Sequence, residues 1–156
     1  MEGHIRMTRK NQQTINEFLL YTLNLKLANR TWSWDAYGED VVVLTLWEKH
    51  RETLPDETER IEVWSPMLWR KPAKVGRNER RKNIDRLNEG GTTYAILRGG
   101  NGSDEREAWD YDGDRLYKLS RVVVDHDGYE YAIVDCSISI DEFLARQAQL
   151  KWFSRS

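Results

Sequence analysis

TWSWDAYGEDVVVLTLWEKH, residues 31–50, reads as a hairpin of unequal halves. Its second half, Val41 to Trp47, is apolar on both faces. A half-exposed strand alternates; a strand that does not is covered on both sides and lies centrally in its sheet. The rest of the chain must therefore supply neighbouring strands and a cover for each face.

The flanking sequence contains both. Upstream, Ile15, Phe18, Leu19, Leu23 and Leu27 share one broad face of a helix running from about Thr8 or Thr14 to Asn29. Thr14 and Glu17 have capping-box spacing at the later of the two starts. Downstream, RIEVW at 60–64 alternates, with Ile61 and Val63 on one side, and TTYAILR at 92–98 is β-branched and aromatic. Between them, Gly76 to Glu89 has helical spacing with Gly90-Gly91 as a stop. REAWDY at 106–111 has the pattern of a short strand, and RVVVDHDGYEYAIV at 121–134 reads as two strands turning at Asp127-Gly128. Ser139 and Glu142 cap a last helix through DEFLARQAQLKWF. This order predicts a single α+β domain over residues 1–156, core about 8–153, with a mixed or mainly antiparallel sheet; a curved half-barrel is one form of it.

Bulk properties set the setting. A chain of 156 residues fits one domain. Seven Trp and seven Tyr give a core to a chain that is 32% charged. Cys136 is the only cysteine, so no intrachain disulfide forms, and no stretch approaches the roughly 18 apolar residues of a membrane helix. These features predict a cytoplasmic protein.

Charge is segregated along the chain. From Trp69 to Leu87, Arg70, Lys71, Lys74, Arg77, Arg80, Arg81, Lys82 and Arg86 face only Glu79 and Asp85, in a chain of net charge -2. At 100° per residue, Arg77, Arg80, Arg81, Ile84 and Leu87 fall on one side of the helix, and Asn78, Glu79, Lys82, Asp85, Arg86 and Glu89 on the other. The apolar half of the first side can pack on the sheet. Its arginine half is expected to run past the core and converge at a helix N-terminus, which itself favours anions. A basic corner beside aromatics is the electrostatic footprint of nucleic-acid binding. Arg77, Arg80 and Arg81 are thus candidate phosphate ligands, with Arg70, Lys71, Lys74 and Asn78 beside them. Trp32 and Trp34, two apart on an extended strand, and Trp69 are the candidate base-stacking surface. The competing expectation is internal: the acidic loop Ser103–Asp114 pairs with the arginines, or docks a basic protein partner.

The stretches TWSWDAYGEDVVVLTLWE, GRNERRKNIDRLNEGGTTYAILR and DRLYKLSRVVVDHDGYEYAIV, above all Trp32-Ser33-Trp34 and Asn78-Glu79-Arg80 with Ile84, resemble a domain that accompanies HNH-type endonucleases in prokaryotic restriction systems and also occurs alone. The resemblance covers roughly Thr31 to Val134. It implies a module that recognises DNA, with modified or flipped bases as a form of its target in the manner of PUA-like readers. It also implies a link to restriction or phage defence, either beside a separate nuclease or defence protein or, if phage-encoded, as an inhibitor of one. The nuclease itself is not implied, since His4, His50 and His126 form no His-Asn-His arrangement with zinc-binding cysteines.

Other chemistry finds less support. Glu48 and His50 share a strand face in WEKH, and with Asp40 before them they suggest a carboxylate nuclease; the acid-x-lysine ending of such strands is missing. DYDGD at 110–114 departs from a calcium loop, with Arg115 at the turn glycine position and Arg121 in place of the bidentate glutamate. GGNGSDE lacks the lysine of a phosphate loop. The expectation is a binding module without metal or cofactor.

Overall fold

The computed structural model describes residues 12–29, 34–67, 74–100 and 105–154. Seven strands form one mixed sheet: β1 (Asp35–Gly38), β2 (Val41–Trp47), β3 (Arg51–Thr53), β4 (Glu59–Trp64), β5 (Thr93–Arg98), β6 (Arg115–Val124) and β7 (Glu130–Ser139). Their spatial order is β1-β2-β5-β6-β7-β4-β3. The β2–β5 pair is parallel and every other pairing is antiparallel. The helices are α1 (Ile15–Glu17), α2 (Lys74–Asn88) and α3 (Ile140–Ser154). This is the expected α+β architecture with a mixed sheet that does not close into a barrel. No helix among the described residues is long and apolar enough to cross a membrane.

β2 lies inside the sheet, with Val41, Val42, Val43, Leu44 and Leu46 all buried. Its side chains divide between two cores. Val41 and Val43 join Tyr94, Ile96, Leu116 and Ile138 under α1 and Phe143 of α3. Val42, Leu44 and Leu46 join Ile61, Val63, Ala95, Leu119 and Ala132 on the opposite face, where Ile84 and Leu87 of α2 complete the cluster. The sheet curls around this second core, so that β2 and β4, far apart in strand order, come into contact.

Local signals in the sequence are realised at most element ends. Thr14 and Glu17 form a complete capping box, and the Ser139 hydroxyl accepts the Glu142 N–H at 3.1 Å. At the end of α2, Gly91 N–H donates to the Arg86 carbonyl and Gly90 N–H to that of Leu87, with Gly90 at φ +97°. This Schellman pattern favours glycine at that position, where the backbone is left-handed. The β6–β7 loop is longer than a two-residue turn: Gly128 N–H donates to the Asp125 carbonyl, and only Gly128 takes positive φ there, as in a type I turn closed by a glycine bulge.

Three expectations are corrected. The first helix does not reach Asn29; after α1 a wide π turn covers Phe18–Thr22, Asn24 adopts φ +57°, and Lys26 pairs with Tyr37 as a one-residue extension of the sheet edge. Its apolar residues still meet the core, because Leu23 and Leu25 bury themselves from the irregular segment. Residues 106–111 are not a strand: Glu105–Trp109 is a 3-10 turn, and only Tyr111 bridges to Arg98. WEKH does not continue β2, since Glu48–His50 is also a 3-10 turn. Because Ile84 is fully buried against strands of the curled sheet, Ile84→Ala is expected to cost about 2–5 kcal/mol in urea unfolding, whereas truncating exposed Val75 on the same helix stays within about 0.5 kcal/mol.

Candidate functional site

One stripe of α2 carries Arg77, Arg80, Ile84 and Leu87, and all four are buried. The arginine half of the helix face therefore continues into the core instead of running past it. Arg80 is 5% exposed and Asp35 of β1 is 1% exposed. Arg80 Nη2 donates to Asp35 Oδ1 at 2.7 Å and Nε donates to Oδ2 at 2.9 Å, a two-pronged fork. Two further donors reach backbone: Nη1 donates to the Val63 carbonyl at 2.9 Å and Nη2 to that of Thr45 at 3.0 Å. Asn83, one turn further along α2, donates to Asp35 Oδ2 at 3.0 Å, and the Thr45 N–H donates to Oδ1 at 3.2 Å. Each charge thus meets its opposite and several further hydrogen bonds, the condition under which a buried pair is tolerated.

This arrangement corrects the assignment of Arg80 as an exposed phosphate ligand. Its guanidinium fills the gap between β2 and β4 where the curled sheet leaves strands unpaired, and its donors are spent on the protein. Arg77 is buried on the same stripe. Arg81 is partly exposed, but its fork is occupied: Nη1 and Nη2 donate to Glu130 at 2.7 and 2.9 Å, Asp85 lies at 3.7 Å, and the guanidinium sits 4.9 Å from the Trp64 ring centre. The hydrogen bond to Glu130 holds the Arg81 guanidinium above its ordinary pKa. Asn78 and Lys82 are exposed on the outer side of the helix.

The expected internal pairing exists with different partners. Arg80 and Arg81 take Asp35 and Glu130, not the acidic loop. Glu107 and Asp110 of that loop instead flank Arg98, which stacks 4.7 Å from the Trp47 ring centre and whose pKa is lowered by burial.

Trp34 is half-buried, and its indole lies against Gly76: a Cβ there would fall 2.2 Å from Nε1. Arg80 lies 5.6 Å from the same ring. Gly76 is required by this close approach. Trp32, Trp69, Arg70 and Lys71 lie outside the described residues, and Lys74 opens α2.

Sequence reasoning missed Asp35, Asn83 and Glu130. The signal for the first two was present: an arginine in line with Ile84 and Leu87 on an apolar stripe must point inward and find a carboxylate. Glu48, the residue singled out for metal chemistry, faces Arg51 at 3.7 Å. No group of three or more His, Cys, Asp or Glu among the described residues is arranged to hold a metal ion.

Breaking the Asp35–Arg80 pair from one side leaves a buried charge, so Arg80→Ala is expected to cost about 3–5 kcal/mol in chemical denaturation. Arg81→Ala, removing a partly exposed pair, is expected to cost about 1 kcal/mol or less. Glu48 provides a pH test. Burial pushes its carboxyl above the ordinary value, opposed by Arg51 and reinforced by Asp112 and Glu59. A carboxyl raised on folding destabilises the fold once pH exceeds its unfolded value, and the cost is complete above its folded value. Glu48→Gln therefore raises Tm at neutral pH, and the gain vanishes as pH falls below about 4 in melts across pH.

No protein-family model matches the chain, no curated protein matches it, and no solved structure matches it.

Proposed function

We propose that the chain is a nucleic-acid-binding module, a reader of DNA with modified or flipped bases among its targets, and that the α2 arginines are its scaffold while the two segments they anchor make the contact. The observation that carries this reading is the junction of Trp34 and Asp35 with Gly76 and Arg80. Trp32 stands two residues before Trp34, and Arg70 and Lys71 stand shortly before Lys74 at the start of α2. At 3.8 Å per residue, both stretches are tethered to the same corner of the domain.

The composition of the second stretch suits a polyanion. From Ser65 to Asn78 the chain has Arg70, Lys71, Lys74 and Arg77 and no acid. Arg70, Lys71 and Lys74 serve as phosphate contacts in this reading, and Trp32 and Trp69 as stacking surfaces, each stacked base contributing about 1–3 kcal/mol. The likeness to the domain found beside HNH-type endonucleases supports DNA as the target and a separate nuclease or defence protein as its functional companion.

The test is fluorescence anisotropy with labelled single-stranded and duplex DNA, unmodified and cytosine-modified, across salt concentrations. The wild type is expected to bind with an affinity that falls steeply with salt. Lys71→Glu with Lys74→Glu is expected to weaken binding to every probe and to reduce the logarithmic salt slope by about one for each phosphate no longer neutralised, with Tm unchanged. Trp32→Ala is expected to reduce any preference for a modified or unpaired base. Absence of binding to all probes at low salt overturns the reading.

A further inference from the structure

The concave face of the curled sheet has two ends. α2 occupies one, where Arg81 meets Glu130 at the start of β7 and Asn88 accepts the Val122 N–H at the end of β6. The other end, at the start of β4 and β6, is an open cleft of about 480 Å³. That volume is in the range of ligand sites, which favour the mouths of curled sheets.

Two independent features meet in this cleft. The first is an unpaired strand edge. β4 pairs with β7 only as far as Arg60 opposite Ile133, whereas β7 continues to Ser139 with β6 as its one strand neighbour among the described residues. Among the described residues, β7 from Val134 onward therefore has no strand on the β4 side. A register shift opposite Lys118 and Leu119 inserts Asp135 as an extra residue, and Asp135 and Cys136 are exposed. Bulges of this kind re-aim side chains and mark places where pairing ends.

The second feature is charge. Glu57, Glu59 and Asp135 line the cleft, with Arg51 the one cation among the lining residues. Arg51 is already engaged: it pairs with Glu59 and stacks 4.8 Å from the Tyr117 ring centre. This internal pair shows that the cleft can receive a guanidinium between an aromatic face and a carboxylate. Neither Glu57 nor Asp135 has an ion-pair partner among the described residues. Ile133 and Val134 add an apolar wall for the methylene stem of a long side chain.

We propose that this cleft docks an extended, basic segment of a partner protein, which adds a strand to the free edge of β7 at Val134–Ser137 and places a lysine or arginine between Glu57 and Asp135. Backbone pairing supplies affinity in this mode, and the pocket supplies the preference for a cation. This site does not rest on the nucleic-acid reading.

Cys136 allows a direct test, because it is the only cysteine, is exposed and lines the cleft. The rate of its reaction with a chromogenic disulfide reagent is followed while a hexapeptide alternating valine and arginine is added. Controls are the same peptide with glutamate for arginine, and free spermidine. Saturable protection by the basic peptide alone is expected, with about tenfold weaker binding in Asp135→Lys and in Glu57→Lys, whose melts match the wild type. Amide exchange then slows at Val134–Ser137 in the peptide complex. No protection at millimolar basic peptide, equal protection by the acidic peptide, or protection by spermidine equal to that by the basic peptide would each overturn the proposal.

Discussion

A carboxylate and a guanidinium with almost no solvent around them hold the two layers of this protein together. Asp35 opens the edge strand β1, and Arg80 lies midway along α2, 45 residues later. Removing two such charges from water costs several kcal/mol each, so they persist only with complete compensation. That compensation comes from four separate elements: Asp35 of β1, the Thr45 carbonyl of β2, the Val63 carbonyl of β4, and Asn83 of α2 itself. The consequence is geometric. β2 and β4 are not sheet neighbours, yet one side chain binds both backbones, so the curl of the sheet and the seat of the helix are determined together.

The sequence revealed the elements better than their junctions. The run Val41–Trp47 identified the inner strand because burial on both faces removes alternation. Caps at Thr14 and Ser139 and the glycines after α2 were legible because they are local chemistry. The early end of the first helix was not, because Leu23 and Leu25 satisfy the core from irregular backbone as well as from a helix. Tyr111 gave residues 106–111 the appearance of a strand, although its ring is buried by tertiary packing and its hydroxyl donates to the Gln13 carbonyl at 2.9 Å. Arg80 shows the deepest limit. A cation count treats all eight arginines and lysines of the basic stretch alike, whereas burial separates Arg77 and Arg80 from the rest, and that separation depends on an aspartate far away in sequence.

The same separation reshapes the functional reading. Charge segregation in a sequence implies an external polyanion only after internal partners are subtracted. Once Asp35 and Glu130 have taken Arg80 and Arg81, the cations left for an external partner are Lys74 at the start of α2, Lys82 and Arg86 on its outer side, and Arg70 and Lys71 earlier in the sequence. At the opposite end of the concave face the balance inverts, and carboxylates surround an opening beside an unfinished strand pairing. One end of the concave face is thus filled by α2 and its buried pair, and the other is left open and acidic.

The central claim is that Asp35 and Arg80 act as one unit, and a double-mutant cycle in denaturant measures it most directly. Unfolding free energies of the wild type, Asp35→Ala, Arg80→Ala and the double variant give the coupling without any ligand. The account predicts strong non-additivity, with the double variant only about 1–2 kcal/mol less stable than either single variant and a coupling energy of about 2–3 kcal/mol. Single effects that add to within about 0.5 kcal/mol would contradict it.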